Sequence, residues 1–224
     1  VDKLTNLYSN INADGIRAIK NHHEQVDPYL SPKQKDDRRG LTLLAALPAH
    51  VSRNISFCLQ ELKGLAPAVY FYPSADMHIT IIDVLAARSD FSLPAGEAVA
   101  YQRALQRVLA GQSPVEWHFA GFIVSPGAIL ATGYYSPSLA KLRAAIRTEL
   151  PGQGLALDER YPTYSGHVTV ARFAGPLTDN DQLLRFIQQN RHTALGNFRT
   201  TELNLVKHDW YNHYQELLGR YQLG

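Results

Sequence analysis

From Gly40 to the C-terminus, short strand-like apolar runs alternate with amphipathic stretches at helical spacing, and similar pieces occur in both halves of the chain. Such alternation calls for helices packed on a sheet, an α+β or α/β arrangement, and suggests an internal duplication. Residues 41–47 form an apolar run ended by Pro48, and 51–65 place Ile55, Cys58, Leu59 and Leu62 at helical spacing, the helix stopping at Gly64. Residues 68–72 and 77–84 are strand-like, and 94–109 have the Pro-first, Gly-after pattern of a helix. In the second half, strands are expected at 117–124 and 129–135, joined through Ser125-Pro126-Gly127. A helix at 139–150 with Ser138 as N-cap, a strand at 166–173, a helix at 181–190 and a strand at 202–207 follow. The tail from Tyr211 carries Tyr214, Leu217, Leu218 and Tyr221. Residues 1–39 are polar and end in the turn-rich, mixed-charge run 31–40, so we read them as an N-terminal arm or helix leading into a domain at 40–224.

Composition removes several function classes. Lys and Arg total 22 against 20 Asp and Glu, a formal charge of +2, too little for the broad basic face that grips duplex DNA. The single cysteine, Cys58, lies in a helix-like stretch and reads as a buried structural thiol; it permits neither an internal disulfide nor a cysteine-rich zinc site. The longest apolar run, 41–51, is broken by Pro48 and falls short of the roughly 20 residues of a membrane span. Val1-Asp2-Lys3-Leu4 lacks a secretory pattern, so a cytoplasmic monomer without membrane contact is expected.

Two tripeptides carry the chemistry. His78-Ile79-Thr80 and His167-Val168-Thr169 share one form, and each is followed by another apolar residue. In a strand, positions i and i+2 share a face, so each motif presents an imidazole beside a hydroxyl while Ile79 and Val168 turn into the core. One His-x-Thr is weak evidence, since a strand histidine beside a threonine is ordinarily a satisfied, half-buried residue. Two copies in matching strand contexts point to a site. His50-Val51-Ser52, at a helix start after Pro48, is a decoy, and the adjacent His22 and His23 cannot face one way on a helix. Neither motif has metal-ligand spacing, so no metal and no cofactor is expected. Two imidazoles on opposite sides of a phosphorus can serve as base and acid at once, while the hydroxyls donate to its non-bridging oxygens. The chain lacks G-x-S-x-G, an NTPase loop and a dinucleotide fingerprint.

The segments Met77-His78-Ile79-Thr80-Ile81-Ile82 and Gly166-His167-Val168-Thr169-Val170-Ala171-Arg172-Phe173 resemble the motifs of the two-histidine (2H) phosphoesterase superfamily, which includes 2′-5′ RNA ligase-like proteins and cyclic nucleotide phosphodiesterases. The resemblance runs from about Gly40 to the C-terminus. It implies two pseudo-symmetric lobes of mainly antiparallel sheet, helices on the outer faces, and a central cleft. It also implies hydrolysis of 2′,3′-cyclic phosphates of nucleotides or RNA ends, reversible as 2′-5′ ligation, with His78 and His167 as acid and base and Thr80 and Thr169 on the phosphate. Where many members have Pro before each His, this chain has Met77 and Gly166, and its first motif runs into Asp83-Val84 rather than an aromatic-Gly ending. Arg172 is a candidate phosphate ligand, although strand parity turns it away from Thr169 unless the strand bends after Ala171. Tyr161 and Tyr164 are candidates for stacking on a base. Lys207, His208 and Trp210 are candidates for the cleft mouth, and His118 reads as a satisfied core histidine. The alternative reading is a non-catalytic binding module for RNA ends or nucleotide-like ligands.

Overall fold

The computed structural model describes residues 3–31 and 34–224; Val1, Asp2 and the Pro32-Lys33 step of the turn-rich run lie outside the described residues. Strands β1 (Arg39–Ala46), β2 (Val69–Phe71), β3 (His78–Arg88), β4 (Val115–Ser125), β5 (Ala128–Tyr135), β6 (Val168–Phe173), β7 (Ala194–Thr200), β8 (Glu202–Asp209) and β9 (Gln215–Gln222) form two sheets. Their orders are β3-β1-β8-β9 and β2-β6-β5-β4-β7, with antiparallel pairing between neighbours. The fold is therefore α+β with two antiparallel sheets, as expected. Neither sheet is one half of the chain: β8 and β9 return to complete the first sheet, and β2 crosses to the edge of the second. That exchange brings β3 of one sheet against β6 of the other, so the two motif strands meet.

Helices α3 (Ala95–Leu109) and α4 (Pro137–Gly152) pack together beside β9 and β3, while α1 (Lys3–Lys20), α2 (Ala49–Cys58) and α5 (Asn180–Gln189) lie along β4 and β7. Helix α1 forms because Leu4, Tyr8, Asn12, Gly15 and Ile19 recur on one face, and all five are buried. Main-core residues from both sheets, among them Ile79, Ile81, Phe119, Val168 and Val170, form one contiguous cluster. A smaller cluster of Leu4, Tyr8, Ile123, Ala128 and Leu130 lies beneath α1.

Several local expectations change. The helix expected at 51–65 is α2 followed by a 3-10 segment, Leu59–Leu65. Helix α4 starts earlier than expected: Ser136 is the N-cap residue and Pro137 takes the first turn, where a missing N–H costs nothing. Strand β7 contains Gly196 and Asn197, poor strand formers, and pairing with β4 overrides their propensity. Strand β9 is mostly exposed and polar, an edge strand that among the described residues pairs only with β8. His118 is not a core residue; it is exposed and bonded to Asn197 Oδ1 at 2.6 Å, because Trp117 and Phe119 on either side take the inward positions.

Candidate active site

The two motif strands depart from regular alternation in the same way. Opposite β1, Leu43 pairs with Ile82 and Leu44 with Thr80, leaving Ile81 as an extra residue. Opposite β5, Ile129 pairs with Ala171 and Leu130 with Thr169, leaving Val170 extra. Each is a β-bulge, and each shifts the following residues to the other face. The segments thus read His-x-Thr-x-x-Asp and His-x-Thr-x-x-Arg, with the lettered residues on the pocket face and the intervening apolar ones buried. The bulge explains why Arg172, which simple parity directs away, shares the face of Thr169. It also places Asp83 at the corresponding position of the first motif.

One pocket collects His78, Thr80, Asp83, His167, Thr169 and Arg172. Its rim adds Arg160, Tyr161, Ser165, His208 and Trp210; Tyr164 does not line it. Tyr164 instead lies edge-on to Tyr135, with ring centroids 6.5 Å apart. Lys207 pairs with Glu216 at 3.1 Å, outside the pocket lining. His50 is exposed on α2, near Asn197 O, and takes no part. Cys58 is half-buried, and burial pushes its thiol pKa up. Among the described residues, no group of three His, Cys, Asp or Glu side chains is arranged to hold a metal ion.

The histidines are held in parallel ways. His78 Nδ1 lies 2.8 Å from Asp76 O, which fixes the proton on Nδ1 and leaves Nε2 for the pocket. His167 Nδ1 lies 2.8 Å from Ser165 Oγ, again two residues upstream. Asp76 is itself steadied by Asn212 Nδ2, which donates to its carbonyl at 3.1 Å. Among the described residues the hydroxyls of Thr80 and Thr169 take no protein partner, so both can donate into the pocket.

Beyond the motifs, polar groups divide by charge. On the first side, Thr42 Oγ1 donates to Asp83 Oδ1 at 2.9 Å and accepts from His208 Nε2 at 2.9 Å, a chain across β3, β1 and β8. Burial raises the Asp83 pKa, and the Thr42 bond works against that rise. On the second side, Arg172 Nε donates to Tyr72 Oη at 3.0 Å, and among the described residues the end of its guanidinium makes no other hydrogen bond and lines the pocket. Trp210 gathers cations: the guanidinium carbons of Arg160, Arg38 and Arg172 lie 4.1, 4.3 and 5.3 Å from its ring. Burial lowers the pKa of both motif histidines. For His78, the Asp76 carbonyl and the Asp83 and Asp76 charges oppose the fall. For His167, the Arg172 and Arg143 guanidiniums add to it, bringing the value to about 4.

Arg143, which belongs to neither motif, ties the two together. It is 2% exposed on α4, yet it donates to Ile81 O (2.6 Å) and Thr80 O (3.1 Å) on one side, and to Tyr164 O (2.9 Å) and Ser165 O (2.8 Å) on the other. The only signal was an arginine between Leu142 and Ile146 on the buried face of α4.

No curated protein sequence matches the chain. Among solved structures, a Thermus thermophilus protein superposes with a TM-score of 0.59 at 15% identity, covering 83% of this chain and 97% of its own. Escherichia coli LigT, solved with 3′-AMP, gives 0.58 at 14% identity over 83% of this chain and 98% of its own. A conserved Agrobacterium tumefaciens protein of unknown function gives 0.62 at 15% identity over 90% and 97%. At these identities the likeness concerns the fold. The model of the 2′-5′ RNA ligase superfamily matches residues 43–212, which include both His-x-Thr motifs, the second half of β1 and Arg143. This chain therefore belongs to the 2′-5′ RNA ligase superfamily of two-histidine phosphoesterases.

Proposed function

We propose that this protein is a metal-independent phosphodiesterase that hydrolyses 2′,3′-cyclic phosphates of nucleotides or RNA ends. The observation that supports it is the meeting in one pocket of two imidazole–hydroxyl pairs, each on a bulged strand, with a carboxylate following one and a guanidinium following the other. The free hydroxyls of Thr80 and Thr169 and the guanidinium of Arg172 suit the non-bridging oxygens of a phosphodiester, where negative charge grows during attack. Nucleotide-sized ligands fit this reading: E. coli LigT has been solved with 3′-AMP, NADP+ and ATP. The exposed ring of Tyr161 at the rim offers a face for a base.

The charged neighbours favour one division of roles. His167, beside Arg172 and Arg143, stays neutral and takes a proton from water as that water attacks phosphorus. His78, whose protonated form Asp83 and Asp76 favour against the pull of burial, gives a proton to the departing ribose oxygen. One P–O bond forms, one breaks, and the product is a phosphomonoester with a free ribose hydroxyl.

Product analysis over 2′,3′-cyclic nucleotides, cyclic-phosphate RNA ends, 2′-5′ linkages and ADP-ribose cyclic phosphate tests the reading. His78→Ala and His167→Ala should each slow turnover by at least about 100-fold, the scale of general acid–base catalysis, and EDTA should leave the rate unchanged. A 4-nitrophenyl phosphodiester, whose leaving group needs no proton, should restore turnover to His78→Ala and not to His167→Ala. Near-normal rates in both alanine variants would refute the mechanism, and tight binding without product would favour the binding-module alternative.

A further inference from the structure

Helix α1 lies outside the residues matched by the superfamily, yet one of its side chains reaches the second motif. Tyr8 Oη donates to Gly133 O on β5 at 2.8 Å and accepts from the Gly166 N–H at 2.9 Å. A single buried oxygen thus bridges β5 and the residue immediately before His167. Tyr8 is 2% exposed, and its ring stands edge-on to Tyr134 with centroids 5.5 Å apart. Burial raises the pKa of the phenol, so it remains a donor at ordinary pH.

The bridge needs glycine at position 166. A Cβ there would lie 2.6 Å from the Trp117 ring and 2.9 Å from Gly133 O, and a proline would also lack the N–H that Tyr8 accepts. Proline before the histidine would limit backbone freedom by its ring. Here the restraint comes from outside the segment, through a hydrogen bond to a distant helix. Other contacts hold that helix independently: Leu4 packs in the cluster beneath it, and Asn12 Oδ1 accepts from Val124 N at 3.1 Å.

We infer that Tyr8 is a positioning residue whose hydroxyl fixes the backbone at Gly166 and so the placement of the His167 imidazole. The inference rests on the phosphodiesterase reading of the pocket. It makes the N-terminal helix part of the working site.

The test compares Tyr8→Phe with Leu4→Ala, which loosens α1 without touching Gly166. Tyr8→Phe should lower kcat about 10-fold with KM within about 2-fold, as a small misplacement of a catalytic group does. It should also speed hydrogen exchange at the Gly166 amide and move the NMR titration midpoint of His167. Leu4→Ala should lower Tm while keeping kcat and the His167 midpoint. The inference is overturned if Tyr8→Phe keeps wild-type kcat and midpoint, or if both variants lose kcat in proportion to Tm. Should wild-type protein turn over no cyclic phosphate, the phosphodiesterase reading fails; the His167 midpoint in Tyr8→Phe then decides the positioning role, with no movement overturning it.

Discussion

Arg143 offers the most direct test of how this site is held together, because four carbonyl oxygens from two separated segments converge on one buried guanidinium. No carboxylate lies within ion-pair distance of it among the described residues, and burial lowers its pKa to about 10, still high enough to keep it charged at neutral pH. A hydrogen bond from a charged donor contributes about 1.5–3 kcal/mol net, but four such bonds do not add, because desolvating the cation offsets much of the gain. Arg143→Met keeps most of the volume and removes every donor, leaving the carbonyls of Thr80, Ile81, Tyr164 and Ser165 short of a partner. We expect a loss of about 3–5 kcal/mol, the scale of breaking a buried charged network, and a fall in Tm of roughly 6–20 °C for a chain of this length. Arg143→Lys restores the charge but has no planar fork to span both segments, so it should recover part of the stability and little of the turnover. Urea unfolding and steady-state hydrolysis of a 2′,3′-cyclic nucleotide measure the two effects. Unfolding free energy within about 1 kcal/mol of wild type in Arg143→Met, with kcat unchanged, would refute the clamp, since ordinary neutral substitutions scatter by no more than this.

Two further outcomes follow from the charges around the histidines. Asp83, Asp76, Arg172, His208 and His167 are the titratable groups around His78, and the two carboxylates favour its protonated form. Asp83→Asn should therefore move the alkaline limb of the pH–rate profile to lower pH while leaving the acidic limb in place; movement of the acidic limb alone would reverse the assignment of acid and base. His208 is 7% exposed and its pKa falls from 6.5 to about 4, chiefly through burial, so the unfolded chain takes up a proton first as pH drops. Stability should decline between pH 6.5 and about 4 by on the order of 3 kcal/mol from this group, and His208→Asn should flatten that decline in urea unfolding.

The His-x-Thr quartet and the positions of most strands were legible because they depend on local pattern. Ile79 and Val168 alternate with polar partners, and the runs around them are β-branched and bounded by turn residues. Arg172 was harder, since its direction depends on one extra residue per strand. The doublets Ile81-Ile82 and Val170-Ala171, apolar where alternation demands a polar residue, were the available sign of both bulges, and reading them together would also have exposed Asp83. Arg143 and Tyr8 lay beyond such reading. Each acts on backbone atoms far along the chain, and a backbone carbonyl or amide leaves no mark in the sequence to show what it binds. Strand β9 was obscured for a related reason: an edge strand with one pairing partner needs little apolar patterning of its own.

The position three residues after each threonine also bears on direction of reaction. Two identical imidazole–hydroxyl pairs facing one phosphorus would be free to exchange roles, and half of the bound complexes would carry the proton on the wrong ring. In the proposed mechanism Asp83 and Arg172, placed alike by the two bulges and opposite in charge, remove that degeneracy before substrate arrives. The bias is electrostatic and lies within the protein, so it holds for any ester seated between the rings. In 2′-5′ ligation of a cyclic phosphate a 5′-hydroxyl replaces water as the nucleophile, so His167 would again take the proton and His78 would again give one to the departing ribose oxygen. An Asp83→Asn protein should therefore lose hydrolysis and ligation by a similar factor at low substrate, because the same ribose oxygen would depart through His78 in both. Unequal losses would mean that Asp83 acts on the nucleophile, which differs between the two reactions, and the charge argument would fall.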